Sequence, residues 1–243
     1  MLRVSIIIPV LNESSCLART LRCLKALEPA PWEVIVVDGG STDETIAIAQ
    51  AADVQVLESS RGRAVQMNCG AAAATGEIFC FLHSDTLVPD DLVTVINQTL
   101  QDKTIVCGGF ISLMTGPQNV RWGTSLHNFL KTYYAPLLFR PHRFFLQRFR
   151  LLFGDQVIFC RRLDFCSISG FDAALPIMED ADLCRRIGHR GGIVQVNRVV
   201  QSSDRRVAQW GTLRATAIFL FIGFLWGLGV PAVRLQKIYE DIR

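Results

Sequence analysis

Short apolar runs alternate with amphipathic stretches through the first hundred residues of the chain. The runs are four to seven residues long and rich in Val and Ile, which is typical of strands buried on both faces. Between them, apolar residues recur at helical spacing. This alternation predicts an α/β fold in which a mostly parallel central sheet is flanked by helices. The predicted strands are residues 4–10, 33–38, 54–57 and 78–82.

Beyond residue 103 the pattern is less regular. Further strands are predicted at 104–113, 157–160 and 192–200, with a helix from Met178 to about residue 189. We therefore predict one domain over residues 1–206, in two halves divided near residue 103, followed by an appendage at 207–243.

The appendage contains 19 consecutive residues without charge, 215–233, interrupted by three glycines and a proline. This length is at the lower limit for a membrane-spanning helix. A re-entrant or interfacial helix is an equally good interpretation. The sequence thus predicts an apolar helical segment that spans the membrane, lies on it, or packs against the domain.

Polar side chains follow the predicted strands at the points where they end. Since the carboxyl ends of parallel strands meet at one edge of the sheet, where ligands bind in such folds, these residues form a candidate site. Carboxylates and arginines gathered there suit a nucleotide diphosphate and a divalent cation, whereas no GxGxxG follows the first strand to indicate a dinucleotide. The residues are Asn12, Glu13, Asp38, Arg61, Arg63, His83 and Asp85.

Charge is unevenly distributed, although the net charge is only +3. Residues 103–154 contain no Asp or Glu but hold seven Lys and Arg, a bias that indicates phosphate or an anionic membrane surface as a partner. Within this stretch, residues 117–153 are rich in Phe, Leu, Tyr and Arg. They fit an amphipathic helix packed on the core and, equally, an interfacial segment that helps to seat an acceptor.

The eight cysteines show no CxxC and no zinc-like spacing, so we interpret them as reduced core residues. The N-terminus leads directly into the first strand without a signal peptide. We therefore expect a cytoplasmic protein that associates with the inner face of a membrane through its C-terminal segment.

Four ordered motifs resemble those of family 2 glycosyltransferases with the GT-A fold. They are SIIIPVLNE at 5–13, VVDGGSTDET at 36–45, FLHSDT at 81–86 and MEDADLCRR at 178–186. Two further stretches, 61–77 and 154–162, are similar to a small bacterial branch of the family. The resemblance covers about residues 4–206, so it implies a nucleotide-binding half at 1–103 and an acceptor half at 104–206.

The resemblance implies transfer of a sugar from a nucleotide diphosphate donor to a hydroxyl acceptor with inversion. On that basis Asp38 holds the nucleoside, and the opening motif places Pro9, Asn12 and Glu13 in the nucleotide pocket. Arg63 is suited to stabilise the charge of the leaving diphosphate.

The resemblance also implies a cation and a base. Asp85 corresponds to the last Asp of the family's DxD motif and would bind Mn²⁺ or Mg²⁺. His83 stands where many relatives have Asp, and an imidazole ligand would favour Mn²⁺. Asp180 corresponds to the general base, with Glu179 beside it.

We place the turn that opens the stretch 154–162 on the acceptor side of the site. Its residues are Gly154, Asp155 and Gln156.

Two other classes of protein compete with this interpretation. A nucleotidyltransferase should carry a Gly-rich, basic loop after the first strand, which residues 9–13 do not provide. A non-catalytic sugar- or lipid-binding module would not need both Asp85 and Asp180. The residues alone leave open a reaction that retains the anomeric configuration, and they do not identify the sugar, the nucleotide base or the acceptor. The apolar tail and the basic stretch favour a lipid-linked or otherwise apolar acceptor, and nothing indicates nucleic acid.

Overall fold

The computed structural model describes residues 1–116 and 119–242, except for the side chains of Arg206 and residues 239–242. Pro117 and Gln118 of the basic stretch and Arg243 of the appendage lie outside the described residues. Within the described chain, seven strands form one sheet in the order β3-β2-β1-β4-β6-β5-β7. The strands are β1 Val4–Val10, β2 Glu33–Asp38, β3 Gln55–Glu58, β4 Ile78–Phe81, β5 Ile105–Thr115, β6 Ile158–Arg161 and β7 Gly192–Ser203.

Helices cover both faces of the sheet, and the C-terminal helices of the chain follow its last strand, β7. The described helices are α1 Ser14–Lys25, α2 Thr45–Ala51, α3 Arg63–Ala73, α4 Leu92–Thr99, α5 Trp122–Phe139, α6 Pro141–Leu146, α7 Arg162–Ser167, α8 Glu179–Ile187, α9 Arg205–Trp210, α10 Thr212–Gly227 and α11 Ala232–Ile242. A short 3₁₀ helix, Gly154–Gln156, precedes β6. The predicted α/β class with a mostly parallel sheet is confirmed; β6 alone of the paired strands described runs antiparallel to its neighbours.

The alternation of side chains along β1 builds the core on both faces of the sheet. Ile6 and Ile8 belong to a buried cluster that includes Leu17 of α1. Ile7, between them, belongs to a second cluster on the other face, with Met67 of α3. Because both faces are covered by helices, the strand is apolar at nearly every position, which is why its bounds are readable from the sequence.

The strand order sets the place of the site. The chain proceeds from β1 outward to β2 and β3, then returns to the other side of β1 to form β4, which pairs with β1 in parallel. The order therefore reverses between β1 and β4, and such a switch point opens a crevice at the carboxyl ends of the strands. The segments after β1 and β4, which contain Glu13 and Asp85, meet there.

Two local expectations are corrected. The sequence Ser-Thr-Asp-Glu at 41–44 matches a capping box and predicts a helix from Thr42 that is capped by Ser41, whereas α2 begins at Thr45 and has no side-chain cap. The hydroxyl of Ser41 instead donates to Asp38 Oδ1 at 2.5 Å. In the basic stretch, α6 ends at Leu146, and the chain continues without regular structure to residue 153, burying Phe149 and Leu152 in the core.

The C-terminal apolar segment folds as a pair of helices rather than as one helix. Gly229, at φ +91°, and Pro231 lie in the turn between α10 and α11. Ile218 and Ile222 of α10 then pack against Leu235 of α11. No helix in the described part of the chain is both long enough and apolar enough to cross a membrane.

Candidate active site

Arg63, the first residue of α3, joins two adjacent acids at the start of α8. Its Nε donates to Glu179 Oε1 at 2.6 Å, and its Nη2 contacts Glu179 and lies 3.3 Å from Asp180 Oδ2. The two acids are 3% and 6% exposed. Carboxylates this deeply buried require a positive partner, so the guanidinium holds both at the site.

Asp180 has a pKa that suits a group exchanging protons near neutral pH. Burial and, after it, the charge of Glu179 raise the pKa of this carboxyl to about 7, against the opposing effects of Arg63 and the N–H of Gly154. That N–H donates to Asp180 Oδ2 at 2.9 Å. A base whose pKa lies near the working pH is the most effective proton acceptor.

Gly154 is required by the close approach of two side chains. A Cβ on this residue would lie 2.5 Å from His83 Nε2 and 2.9 Å from Asp180 Oδ2. His83 Nε2 is also 3.5 Å from Arg63 Nη1. The imidazole of His83 therefore belongs to the cluster of Arg63 and Asp180.

The rest of the turn after Gly154 is held by hydrogen bonds to α5 and β7. The Oδ2 of Asp155 accepts from Asn128 Nδ2 of α5 at 2.8 Å, and its carbonyl accepts from Ser202 Oγ at 3.0 Å. Gln156 is fully buried. Its Oε1 accepts from the N–H of Phe153 at 2.9 Å, and its Nε2 donates to Thr132 Oγ1 at 3.0 Å. Gln156 thus holds the turn in place, and its predicted contact with an acceptor stays a prediction.

The predicted nucleoside-binding residues organise the loop after β2. Asp38 Oδ2 accepts the N–H groups of Gly40 and Ser41, each at 2.8 Å. Asn12, in the left-handed region at φ 55°, accepts the N–H of Thr42 at 2.8 Å. Pro9 is buried within β1, paired with β2. These three residues shape the loop at the sheet edge, and contact with a nucleoside remains their predicted role.

A second arginine, Arg205, connects the ends of β1 and β4. Its Nη2 lies 2.8 Å from Glu13 Oε2 and 2.8 Å from Asp85 Oδ2. It reaches them because Leu87, after β4, forms an antiparallel bridge with Gln201 of β7. Arg205 was not predicted as a site residue; the sequence shows only a basic pair, separated by one residue from the end of β7.

The contacts of Arg205 indicate whether the positions of Glu13 and Asp85 fit a divalent cation. One positively charged nitrogen contacts oxygens of both Glu13 and Asp85, so the two carboxylates converge on one point. In the part of the chain described, no cluster of three or more His, Cys, Asp or Glu is arranged to hold a metal. The carboxylate pair is the donor set that Mn²⁺ or Mg²⁺ binds when phosphate oxygens complete the coordination. His83, the other predicted ligand, faces Arg63.

Lys131 of α5 also was not predicted as a site residue. Its ammonium lies 3.8 Å from the centre of the Phe153 ring. Burial lowers the pKa of this amine, while the charges of Asp155 and Asp180 raise it. Helical spacing from Asn128 places Lys131 on the side of α5 that faces the Gly154 turn.

Residues 5–163 match glycosyl transferase family 2, and the chain belongs to this family. It is 30% identical over 197 residues to a pre-mycofactocin glycosyltransferase of Mycobacterium tuberculosis, a match that covers 77% of this chain and 39% of that protein. It is 29% identical over 189 residues to a PGL/p-HBAD biosynthesis glycosyltransferase of Mycobacterium bovis, covering 73% and 66%. The chain thus spans well under half of the first relative.

Solved structures of glycosyltransferases share the fold. One is glucosyl-3-phosphoglycerate synthase from Mycobacterium tuberculosis in complex with Mn²⁺, uridine diphosphate and phosphoglyceric acid, with a TM-score of 0.65 and 22% identity over 95% of this chain and 80% of that one. Another is a mannosyltransferase from Pyrobaculum calidifontis in complex with GDP-Man and Mn²⁺, with a TM-score of 0.67 and 20% identity over 95% and 66%. The predicted GT-A architecture is confirmed.

We expect Arg205 to compete with a cation for Glu13 and Asp85. Arg205→Met should raise the affinity of the nucleotide-free protein for Mn²⁺ by about tenfold, because the carboxylates lose their ion pair. Asp85→Ala should abolish this binding, and His83→Ala should reduce it less. Isothermal titration with Mn²⁺ measures all three. Arg198→Met, which breaks an exposed ion pair with Asp91, is the control. Unchanged affinity in both Arg205→Met and Asp85→Ala would place the cation elsewhere.

Proposed function

We propose that the chain transfers a sugar from a nucleotide diphosphate donor to a hydroxyl acceptor with inversion, and that Asp180 is the general base. The observations that carry this proposal are the buried Asp180 carboxylate, fixed by Arg63 and the Gly154 N–H, and the convergence of Glu13 and Asp85 on Arg205. A proton acceptor and a cation-binding pair thus lie at one edge of the sheet. A single displacement requires these two elements and no protein nucleophile.

In the proposed reaction, the acceptor oxygen attacks the anomeric carbon on the face opposite the nucleotide. The Asp180 carboxylate takes the hydroxyl proton while the bond from the anomeric carbon to the diphosphate oxygen breaks. Arg63 and Arg205 are the guanidinium groups near the developing negative charge, which they stabilise by preorganised electrostatic contact. Asp38 and the loop that it organises hold the nucleoside, with Pro9, Asn12 and Glu13 lining the pocket.

Glu13 and Asp85 would hold a divalent cation in this reaction. Such a cation would neutralise charge on the diphosphate as it leaves. The related solved structures contain Mn²⁺ with a nucleotide or nucleotide sugar, and one contains Mg²⁺ with uridine diphosphate, which supports either metal for this chain.

The acceptor side of the proposed site is formed by the second half of the chain. Gly154 and Asp155 border Asp180, and Lys131 and Asn128 approach from α5. We propose that the acceptor is lipid-linked or otherwise apolar and that the protein works at the inner face of a membrane. Exposed apolar side chains on α5 support this: Trp122 is 70% exposed, Leu126 58% and Leu130 46%. They recur every four residues and form one stripe.

The base assignment predicts a pH profile. Because the base must be ionised, turnover should rise with pH through the pKa of Asp180, at about 7. Asp180→Asn should lower turnover by about 10²–10⁴-fold with donor affinity nearly unchanged. Glu179→Gln removes a charge that raises the pKa of Asp180, so the rise should move to lower pH. Initial rates between pH 5 and pH 9, about two units either side of that pKa, measure both effects. Near-normal turnover in Asp180→Asn together with an inactive Asp155→Asn would transfer the role to Asp155.

The membrane proposal predicts lipid-dependent sedimentation. The double substitution Leu126→Glu and Leu130→Glu should weaken binding to phosphatidylglycerol vesicles by about tenfold or more, since it places charge on the apolar stripe. Leu163→Glu is the matched control, because Leu163 is 82% exposed on α7. This helix follows the antiparallel strand β6 and therefore begins at the amino ends of the parallel strands, away from the candidate site. Vesicle cosedimentation at low salt measures binding. Failure of the unaltered protein to bind these vesicles would contradict the proposal.

A further inference from the structure

A cavity of about 950 Å³ is lined by Arg63 and Glu179 of the candidate site and continues beneath the C-terminal helices. It lies between α5, the loop that precedes α8, and the pair α10 and α11. This volume is near the upper end of the range for small-molecule sites. Its walls are mainly apolar, and they include Ala135, Phe139, Ile177, Phe219, Phe224 and Trp226.

The inner end of the cavity is polar and carries an unpartnered buried oxygen. Glu179 lines the cavity and is 3% exposed. Its Oε1 is engaged by Arg63, whereas no donor among the described residues lies within hydrogen-bonding distance of its Oε2. Lys131 lines the same end. A buried carboxylate oxygen without a donor is costly, so this atom is poised to accept a hydrogen bond from a ligand.

We infer that this cavity is the acceptor site and that the acceptor is an amphiphile, an extended apolar body that carries a hydroxyl. Another O–H or N–H donor of its polar end bonds to Glu179 Oε2, next to Asp180, which takes the proton of the reacting hydroxyl, and the apolar body lies against α10 and α11. This inference rests on the proposed function, because the acceptor is defined by the reaction. It gives the C-terminal helices a role as the wall of a substrate site.

The walls are mainly apolar, although Arg140, Asp172 and Arg185 also line the cavity, and this composition restricts the choice of ligand. A small polar acceptor would leave most of the cavity surface in contact with water, whereas an apolar body removes that surface from water, which is favourable. The polar groups at the inner end fix the orientation, as the few polar groups of a mostly apolar site do. The acceptor is therefore bound through its apolar body and oriented through its polar end.

Gly223 of α10 allows the cavity to be filled without disturbing the fold. It lines the cavity, and no heavy atom lies within 4 Å of a Cβ built on it. Replacing a helical glycine by leucine also favours the helix, because leucine has the higher helix propensity. Gly123 of α5 is the matched control, since its Cβ position is equally open and it does not line the cavity.

The test compares two probes that differ only in their apolar part, octyl β-D-glucoside below its micellar concentration and methyl β-D-glucoside. The unaltered chain should bind the octyl glycoside, measured by isothermal titration, at least about tenfold more tightly than the methyl glycoside. Gly223→Leu should weaken binding of the octyl glycoside by about tenfold or more, and Gly223→Ala should weaken it less. Gly123→Leu should leave it unchanged. Thermal unfolding of each variant confirms that it is folded.

Equal affinity of the octyl glycoside for the unaltered chain and for Gly223→Leu would overturn the inference, and so would equal affinity for the two glycosides. Release of nucleotide diphosphate from a nucleotide sugar, measured in parallel, separates this result from the proposed function. If release persists and the octyl preference is absent, the acceptor site alone is wrong. If the octyl preference depends on Gly223 and no nucleotide sugar is turned over, the cavity binds an amphiphile and the proposed reaction is wrong.

Discussion

The ion pair of Arg63 with Glu179 and Asp180 is the constraint on which the site depends. Two acids adjacent in sequence are almost fully buried at the start of α8, and their mutual repulsion and desolvation oppose that arrangement. The guanidinium of Arg63, at the start of α3, offsets both the repulsion and the desolvation. It also keeps the pKa of Asp180 from rising further, so the carboxyl can ionise near neutral pH.

A second arginine makes the reciprocal connection. Arg63, from the first half of the chain, pairs with acids of the second half, and Arg205, from the second half, pairs with Glu13 and Asp85 of the first. Each pair of carboxylates is therefore neutralised by an arginine from the other half of the chain. A donor diphosphate bound as we propose would meet two guanidinium groups already held near the sheet edge, so little reorganisation would be needed when charge develops.

The sequence predicts the features that depend on residues close together in the chain, and it misses those that depend on contacts between distant residues. The bounds of β1 and β2 are predicted to the residue, because burial on both faces leaves an uninterrupted apolar run. The capping role assigned to Ser41 is wrong because Asp38 competes for its hydroxyl through the fold of the loop. Arg205 could not be predicted, since its reach to Asp85 follows from the bridge between Leu87 and Gln201, which lie far apart in sequence. The break between α10 and α11 is visible in Gly229 and Pro231, but the cavity that the helix pair encloses is a property of tertiary packing.

The central claim is that the Asp180 site and the Glu13–Asp85 pair act on a nucleotide diphosphate sugar. Its most direct test is to incubate the purified chain with Mn²⁺ and a panel of nucleotide sugars and to measure the nucleotide diphosphate that is released. The account predicts release from at least one donor, dependent on the cation and lost on removal of Asp85. Absence of release from every donor, with the protein folded and Mn²⁺ bound, would contradict it.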